Sequence, residues 1–393
     1  MRIIRGYKTE LDPNNKQTTA LYQHSGAARF VWNWALDRIQ NKISQPNAIK
    51  LHKEWNEWKR ENATWYDQVS KCSPQESLRN LERAFSNFFR KCKNKKAGTF
   101  NGKVGFPRFK AKHCGIGSFR LTGTIKVNEK SVQLPKLGEL RLKERGYIPT
   151  EDVKILSATV SEHAGRWFVS IQTEQEIADS PKKERAVVGV DLGIKSLAVC
   201  SDGKAFENPK ALRSRIAQLK RLQQHVNRKE KGSQNRKKTA RKVAKLHFHI
   251  SNIRKNYLHQ ITSYLTKTKS EVVIEDLNVS GMLKNHCLAQ AIQDLGLYEF
   301  RRQLDYKGIW NGCKITVADR YFPSSKLCSI CGCVNKDLTL ADREWNCPHC
   351  GVHHDRDKNA STNLENYGIV AASSSETLNS PMETKALTAK LVA

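Results

Sequence analysis

Ala186-Val187-Val188-Gly189-Val190-Asp191 places a carboxylate directly behind a run with no polar side chain. A short apolar run rich in β-branched residues reads as a strand buried on both faces. The pattern recurs at Val272-Val273-Ile274, with Glu275 behind it. Outward from these two strands, a third is expected over 197–200, ending in the turn Ser201-Asp202-Gly203. A helical pair is expected from about 211 to 266, broken at Lys231-Gly232-Ser233, then a helix over 294–310 and a strand over 314–317. Doubly buried strands alternating with helices predict an α/β layer fold for this half.

A third acid, Asp357, lies in His354-Asp355-Arg356-Asp357-Lys358-Asn359-Ala360, where a helix is expected to begin. The three acids share no local motif, so only the fold can bring them together. In-line hydrolysis of a phosphodiester needs both the attacking and the leaving oxygen stabilised, which two Mg²⁺ ions roughly 3.5–4 Å apart can do. Such hard cations take carboxylate oxygens held on rigid elements. Singly, a strand-end acid is more often a cap or turn residue. The reading rests on the three together in a basic chain.

That basicity is large: 68 Lys and Arg against 38 Asp and Glu give a net charge of +30 on 393 residues. A surface this basic condenses on phosphates and releases their counterions, so the expected partner is nucleic acid. The first residues alternate like a strand and contain no signal-peptide core, and no run approaches the length of a membrane span. The expectation is a cytoplasmic or nucleoid protein with no membrane partner.

Of eleven cysteines, five fall between positions 328 and 350. Cys328-Ser329-Ile330-Cys331 and Cys347-Pro348-His349-Cys350 form C-x2-C-x15-C-x2-C. Two such knuckles offer four thiolates to one structural Zn²⁺ and leave no open position for catalysis. Cys333 competes with Cys331, but the two-residue spacing favours Cys331.

Between Lys210 and Lys255 stand sixteen Lys or Arg and one carboxylate, Glu230. A merely solvated helix interleaves its charges. A single-sign face repels itself unless phosphates neutralise it. Arg221, Arg228, Arg236, Lys237, Lys238 and Arg241 are therefore candidate nucleic-acid contacts.

In the N-terminal half, apolar residues at helical spacing predict a helix over 14–43. A second opens at Ser73-Pro74-Gln75-Glu76, read as a capping box. Trp55, Trp58 and Trp65 are expected to pack between them. From about 98 the texture changes to short strands (125–127, 132–134, 140–142, 155–160, 167–173), which read as a small barrel or sandwich. The opening strand near Ile3 would join it and make the helices an insertion. Residues 178–185 read as a linker, and the Ser/Thr/Ala-rich end from 371 as a disordered tail.

Asp191 is followed by Leu192-Gly193-Ile194-Lys195-Ser196-Leu197-Ala198-Val199, which resembles the OrfB/TnpB family of insertion-sequence nucleases, relatives of the type V CRISPR effectors. Ala27-Ala28-Arg29-Phe30-Val31-Trp32-Asn33, Val104-Gly105-Phe106-Pro107-Arg108-Phe109, Phe322-Pro323-Ser324-Ser325-Lys326-Leu327-Cys328 and Asp355-Arg356-Asp357-Lys358-Asn359-Ala360 fit the same family. The resemblance spans about 1–370. It implies a multidomain α+β chain: an N-terminal β-barrel (1–12 and 98–178) interrupted by a helical recognition lobe (13–97). A RuvC-like domain of RNase H fold follows (186–320 and 353–370), carrying an inserted zinc ribbon (321–352), then the tail (371–393). It implies an RNA-guided DNA endonuclease encoded by a transposable element. Its partners would be a guide RNA from the element end and a target double-stranded DNA, in a monomeric ribonucleoprotein. A short motif beside the target would be read by the protein.

The resemblance assigns the catalytic Mg²⁺ (or Mn²⁺) to Asp191, Glu275 and Asp357, with Asp355 an alternative to Asp357. Lys71 and Gln75 are candidate readers of the flanking motif, since Gln pairs bidentately with adenine; Gln75 as a plain helix-start residue is an equal reading. Phe106 and Phe109 suit base stacking, with core packing the simpler role. The alternatives are a non-cleaving RNA-guided regulator, a transposase that cuts and joins DNA, and a structural RNA-binding protein. The regulator is expected to lack an acid, and the structural protein has no need of three strand-end carboxylates.

Overall fold

The computed structural model describes residues 2–112, 115, 117–176, 186–339 and 341–377. It divides into two units, Met1–Ala178 and Asp179–Ala393, and the expected linker at 178–185 lies outside the described residues.

The first unit opens with strand β1 (Arg2–Asp12) and helices α1 (Asn15–Gln40), α2 (Ala48–Asn62) and α3 (Cys72–Lys96). Asn14 and Gln17 close a capping box at the start of α1, with bonds of 2.9 and 3.0 Å. Leu21, Val31, Ala35 and Leu36 form its buried stripe. The helices share a core with the fully buried Trp55, while Trp65 stays 46% exposed.

The capping box expected at Ser73 does not form. Helix α3 starts two residues earlier, with Lys71 at the cap position and no side-chain cap bond. Other partners take the two groups instead. The Ser73 hydroxyl donates to the His24 carbonyl at 3.1 Å, and the buried Glu76 meets Arg79 at 2.6 Å and Arg120 at 3.8 Å.

Strands β2 (Ser118–Leu121), β3 (Lys126–Val127), β4 (Ser131–Leu134), β5 (Gly138–Leu142), β6 (Val153–His163) and β7 (Arg166–Glu176) complete an antiparallel sheet. Its order is β2-β6-β7-β1-β5-β4-β3. Strand β1 pairs along its length with β7, from Arg2 opposite Glu176 to Leu11 opposite Trp167. The helices are thus an insertion between β1 and β2. The expected barrel is an open sheet: among the described residues no ladder joins β2 to β3. Both are edge strands of four residues or fewer, too short to span a closing seam. Inward side chains from both ends, Phe119 and Leu121 with Val132 and Leu134, still share one core.

The second unit contains β8 (Val187–Asp191), β9 (Ser196–Cys200), β10 (Ala205–Glu207), α4 (Ile216–Asn227), α5 (Gln234–Thr268), β11 (Glu271–Ile274) and α6 (Val279–Met282). After them come α7 (Ala289–Leu295), α8 (Leu297–Asn311), β12 (Lys314–Val317), β13 (Glu344–Asn346), β14 (His353–Asp355) and α9 (Arg356–Thr377). The five-stranded sheet has the order β10-β9-β8-β11-β12, with β8, β11 and β12 parallel and β9 antiparallel to β8.

Period-two alternation sorts each strand between two helical layers. Val188, Val190, Val272 and Ile274 pack with Leu258, Ile261 and Leu265 of α5 and Phe300 and Leu304 of α8. Val273 packs on the other face against Leu364 of α9. At Gly189 a Cβ would lie 1.9 Å from the Ser361 carbonyl oxygen, so α9 seats on β8 only because this residue has no side chain. The single helix expected over 294–310 is two, because Gly296 takes the left-handed conformation (φ 72°) between α7 and α8. The tail expected from 371 begins inside α9, which runs to Thr377; residues 378–393 lie outside the described residues. No helix among the described residues is long and apolar enough to cross a membrane.

Candidate active site

Val190 pairs with Ile274 in the parallel ladder, so Asp191 and Glu275 stand side by side at neighbouring strand ends. Both Val190 and Ile274 point into the α5/α8 core. Alternation therefore turns the next residue of each strand toward the α9 side. Helix α9 begins there, with Asp357 in its first turn. The fold brings the three acids together on the face that Gly189 opens to α9.

Their electrostatics register the proximity. Burial first, then the charges of Glu275 and Asp357, push the Asp191 carboxyl up to about 8; Arg356 and the Leu192 backbone N–H act the other way. Grouped, desolvated carboxylates of this kind either keep a proton or hold a cation. The donor set is all oxygen, on strand ends and a helix start, and it fits a hard divalent ion.

Supporting contacts fix two of the acids. The Ser324 hydroxyl donates to Glu275 Oε1. Arg343 lies 3.7 Å from Asp357. Asp355 is exposed and accepts from the Lys358 backbone N–H at 2.9 Å, capping α9. Asp357 is among the charges that move Asp191.

Helix α9 also grips the segment leading to the first cysteine. Asn363 Nδ2 donates to the carbonyls of Ser324 (2.7 Å) and Leu327 (2.6 Å). Asn359 donates to the Leu327 carbonyl at 2.7 Å and accepts from the Ser329 N–H at 3.0 Å. Ser324, Asn359 and Asn363 escape a reading of the sequence as chemistry. Two of them lie within the quoted segments, but only the packing of α9 against the 324–329 loop reveals their partners.

Cys328, Cys331, Cys347 and Cys350 present four sulfurs within 4.8 Å of one another. Cys328 and Cys350 are 3.7 Å apart, and Cys331 and Cys347 are 3.5 Å apart. These separations suit a tetrahedral thiolate cage and are compatible with a structural zinc. Cys333 stands outside the four.

In the basic pair, Leu219, Leu246 and Ile250 join α4 to α5. Arg221, Arg228, Lys237, Lys238 and Arg241 are exposed. Arg236 differs. Its Nη1 donates to the carbonyls of Val226 and Lys229 at 2.9 and 3.0 Å, clamping the end of α4 to the start of α5. In the first unit, Lys71 is exposed and Gln75 half-buried. Lys71 lines a cavity of about 810 Å³ with His52, Asn56, Lys59, Thr122 and Gln133, and Gln75 does not. Phe106 packs edge-on against Phe85 and Phe88, at 5.1 and 5.3 Å between centroids, while Phe109 is half exposed.

Three family models match the chain. OrfB_IS605, described as "Probable transposase", covers residues 158–286, and the "Cas12f1-like, TNB domain" covers 298–364. A "Helix-turn-helix domain" model covers 1–47, where the structure has one strand and one helix. Among relatives, the "Putative RNA-guided DNA endonuclease" of Streptomyces pristinaespiralis is 37% identical, with 94% of this chain and 91% of the relative aligned. The "Putative RNA-guided DNA endonuclease InsQ" of Escherichia coli (strain K12) is 34% identical over 93% and 92%. The fold is similar to the protein in the "Cryo-EM structure of the Cas12f1-sgRNA-target DNA complex", with a TM-score of 0.53, 13% identity, and 93% of this chain and 99% of that one covered. Near-complete alignment with such relatives, together with the family-model matches, shows that the chain belongs to the OrfB/TnpB family.

Proposed function

We propose that this protein is an RNA-guided DNA endonuclease encoded by a transposable element. It binds a guide RNA from the element end, reads a short motif beside its double-stranded DNA target, and hydrolyses phosphodiesters in a RuvC-like site. The observation that carries this reading is the convergence of Asp191, Glu275 and Asp357 in a chain of net charge +30. Base pairing supplies sequence specificity, and the protein reads shape and a short flank.

Asp191, Glu275 and Asp357 would hold Mg²⁺ or Mn²⁺, which when bound stabilises charge on the attacking and leaving oxygens. The chain's own residues do the positioning. Ser324 orients Glu275, and the α9 start orients Asp357 against Asp191. The four cysteines hold a structural zinc in the ribbon, with no catalytic part. Arg221, Arg228, Lys237, Lys238 and Arg241 contact phosphates, and Lys71 and Gln75 face the flanking motif. The particle acts as a monomeric ribonucleoprotein in the cytoplasm or nucleoid.

The test is purification with co-expressed RNA, followed by cleavage of a matched target behind a randomised flank with and without Mg²⁺. Asp191→Ala should abolish cutting and keep target binding. An Ala variant that cuts as fast as its parent refutes the site. Strand-joined products would favour the cut-and-join transposase instead.

A further inference from the structure

His354 sits in the short β13/β14 hairpin, paired with Trp345. Alternation turns His353 and Asp355 outward and His354 inward. The side chain is 7% exposed, and its ring lies 4.8 Å from that of Trp345. Its Nε2 stands 3.1 Å from Cys328 Sγ.

Four sulfurs already complete a tetrahedron, so the cage does not need the imidazole as a ligand. It does need hydrogen-bond donors. Four thiolates around one dication carry a net charge of about −2 at the cage, and a buried thiolate without a donor is costly. Cys331 and Cys350 are exposed, and the backbone at Cys333 and Val352 hydrogen-bonds to them. Cys328 is 1% exposed, so its donor must come from the protein.

We propose that His354 is a positioning residue for the ribbon's metal, its Nε2–H donating to the buried Cys328 thiolate and holding it in the cage. The inference rests on the ribbon binding zinc, and is independent of whether the acids cut DNA. Groups that orient and polarise metal ligands in this way commonly change metal affinity by about 10–100-fold when removed.

The experiment uses the full-length protein. Zinc affinity is measured by competition with a chromophoric chelator for the parent, H354F, H354M and H354Q. Phenylalanine keeps a ring beside Trp345 but has no donor; methionine removes the donor without a rigid ring, should phenylalanine crowd the hairpin. Glutamine retains an N–H. Both donor-free variants should hold zinc about 10–100-fold more weakly, and H354Q should stay close to the parent. In the cobalt(II)-substituted protein, the thiolate-to-metal charge-transfer band should move to lower energy in the donor-free variants and return in H354Q. Equal zinc affinity in parent and donor-free variants overturns the proposal, as does an H354Q that fails alongside them. A parent without zinc would instead refute the ribbon reading beneath it.

Discussion

Ser324 gives its hydroxyl hydrogen to the Glu275 carboxylate, and its own carbonyl is held by Asn363 of α9 at 2.7 Å. One acid is thereby oriented by the loop that leads to the first cysteine. Ser324→Ala should slow single-turnover cleavage on the order of tenfold or more, as removal of a group behind a metal ligand does, and leave target binding unchanged. Parallel loss of binding would make Ser324 a folding residue.

Asp191 sets a pH dependence for the Mg²⁺-free protein. Its folded carboxyl titrates near 8, raised by burial and by Glu275 and Asp357, against an ordinary value of 3.8. The folded state therefore binds the extra proton between those values, and stability falls as pH rises through that window. With Mg²⁺ left out and no chelator added, so that the ribbon keeps its zinc, the parent should melt at a lower temperature at pH 8.5 than at pH 6, and Asp191→Asn should flatten the difference. Added Mg²⁺ should restore the parent at the higher pH and do less for the variant. A parent whose melting is indifferent to pH across this range would contradict the crowding of the three acids.

Gly189→Ala should be severe for so small a change. The added methyl would meet backbone, the Ser361 carbonyl oxygen at 1.9 Å and the Glu365 nitrogen at 2.4 Å, and neither can swing aside as a side-chain tip can. Overpacking typically costs about 1–3 kcal/mol and more where backbone must shift, read as a lower urea midpoint. A variant of parental stability would mean that α9 does not seat on β8 as described.

The basic pair separates two kinds of arginine. Removing Lys237, Lys238 and Arg241 together should weaken RNA binding and lower the slope of log affinity against log salt by about two to three, near one per lost phosphate contact. Arg236→Ala should act differently, because its guanidinium clamps Val226 and Lys229. It should lower thermal stability and change the salt slope little. Titration of RNA at several ionic strengths, beside melting curves, distinguishes the two.

The doubly buried strands were legible because no polar residue interrupts them, and the acids behind Val190 and Ile274 marked their ends. The cysteine spacing was equally plain. What escaped was tertiary. Ser73 and Glu76 match a capping box, yet His24 takes the first side chain, and Arg120 joins the same-helix Arg79 in taking the second. Local pattern cannot weigh partners from β2 or α1. Strand β2 was missed because four residues with one charge carry little periodicity. The break at Gly296 was hidden because apolar spacing continues across it, and only the backbone angle ends α7. Ser324 is one serine among many until Glu275 stands beside it.

The seat of α9 on Gly189 also imposes an order on synthesis. The strand bearing Asp191 leaves the ribosome long before Ser361, with both basic helices and the whole cysteine hairpin emerging between them. On the proposed reading, a nascent chain would be able to engage RNA through its basic pair while the cleft for the third carboxylate is still bare. On that reading, catalytic competence would arrive only with α9, so an interrupted translation product would be a binder without a blade.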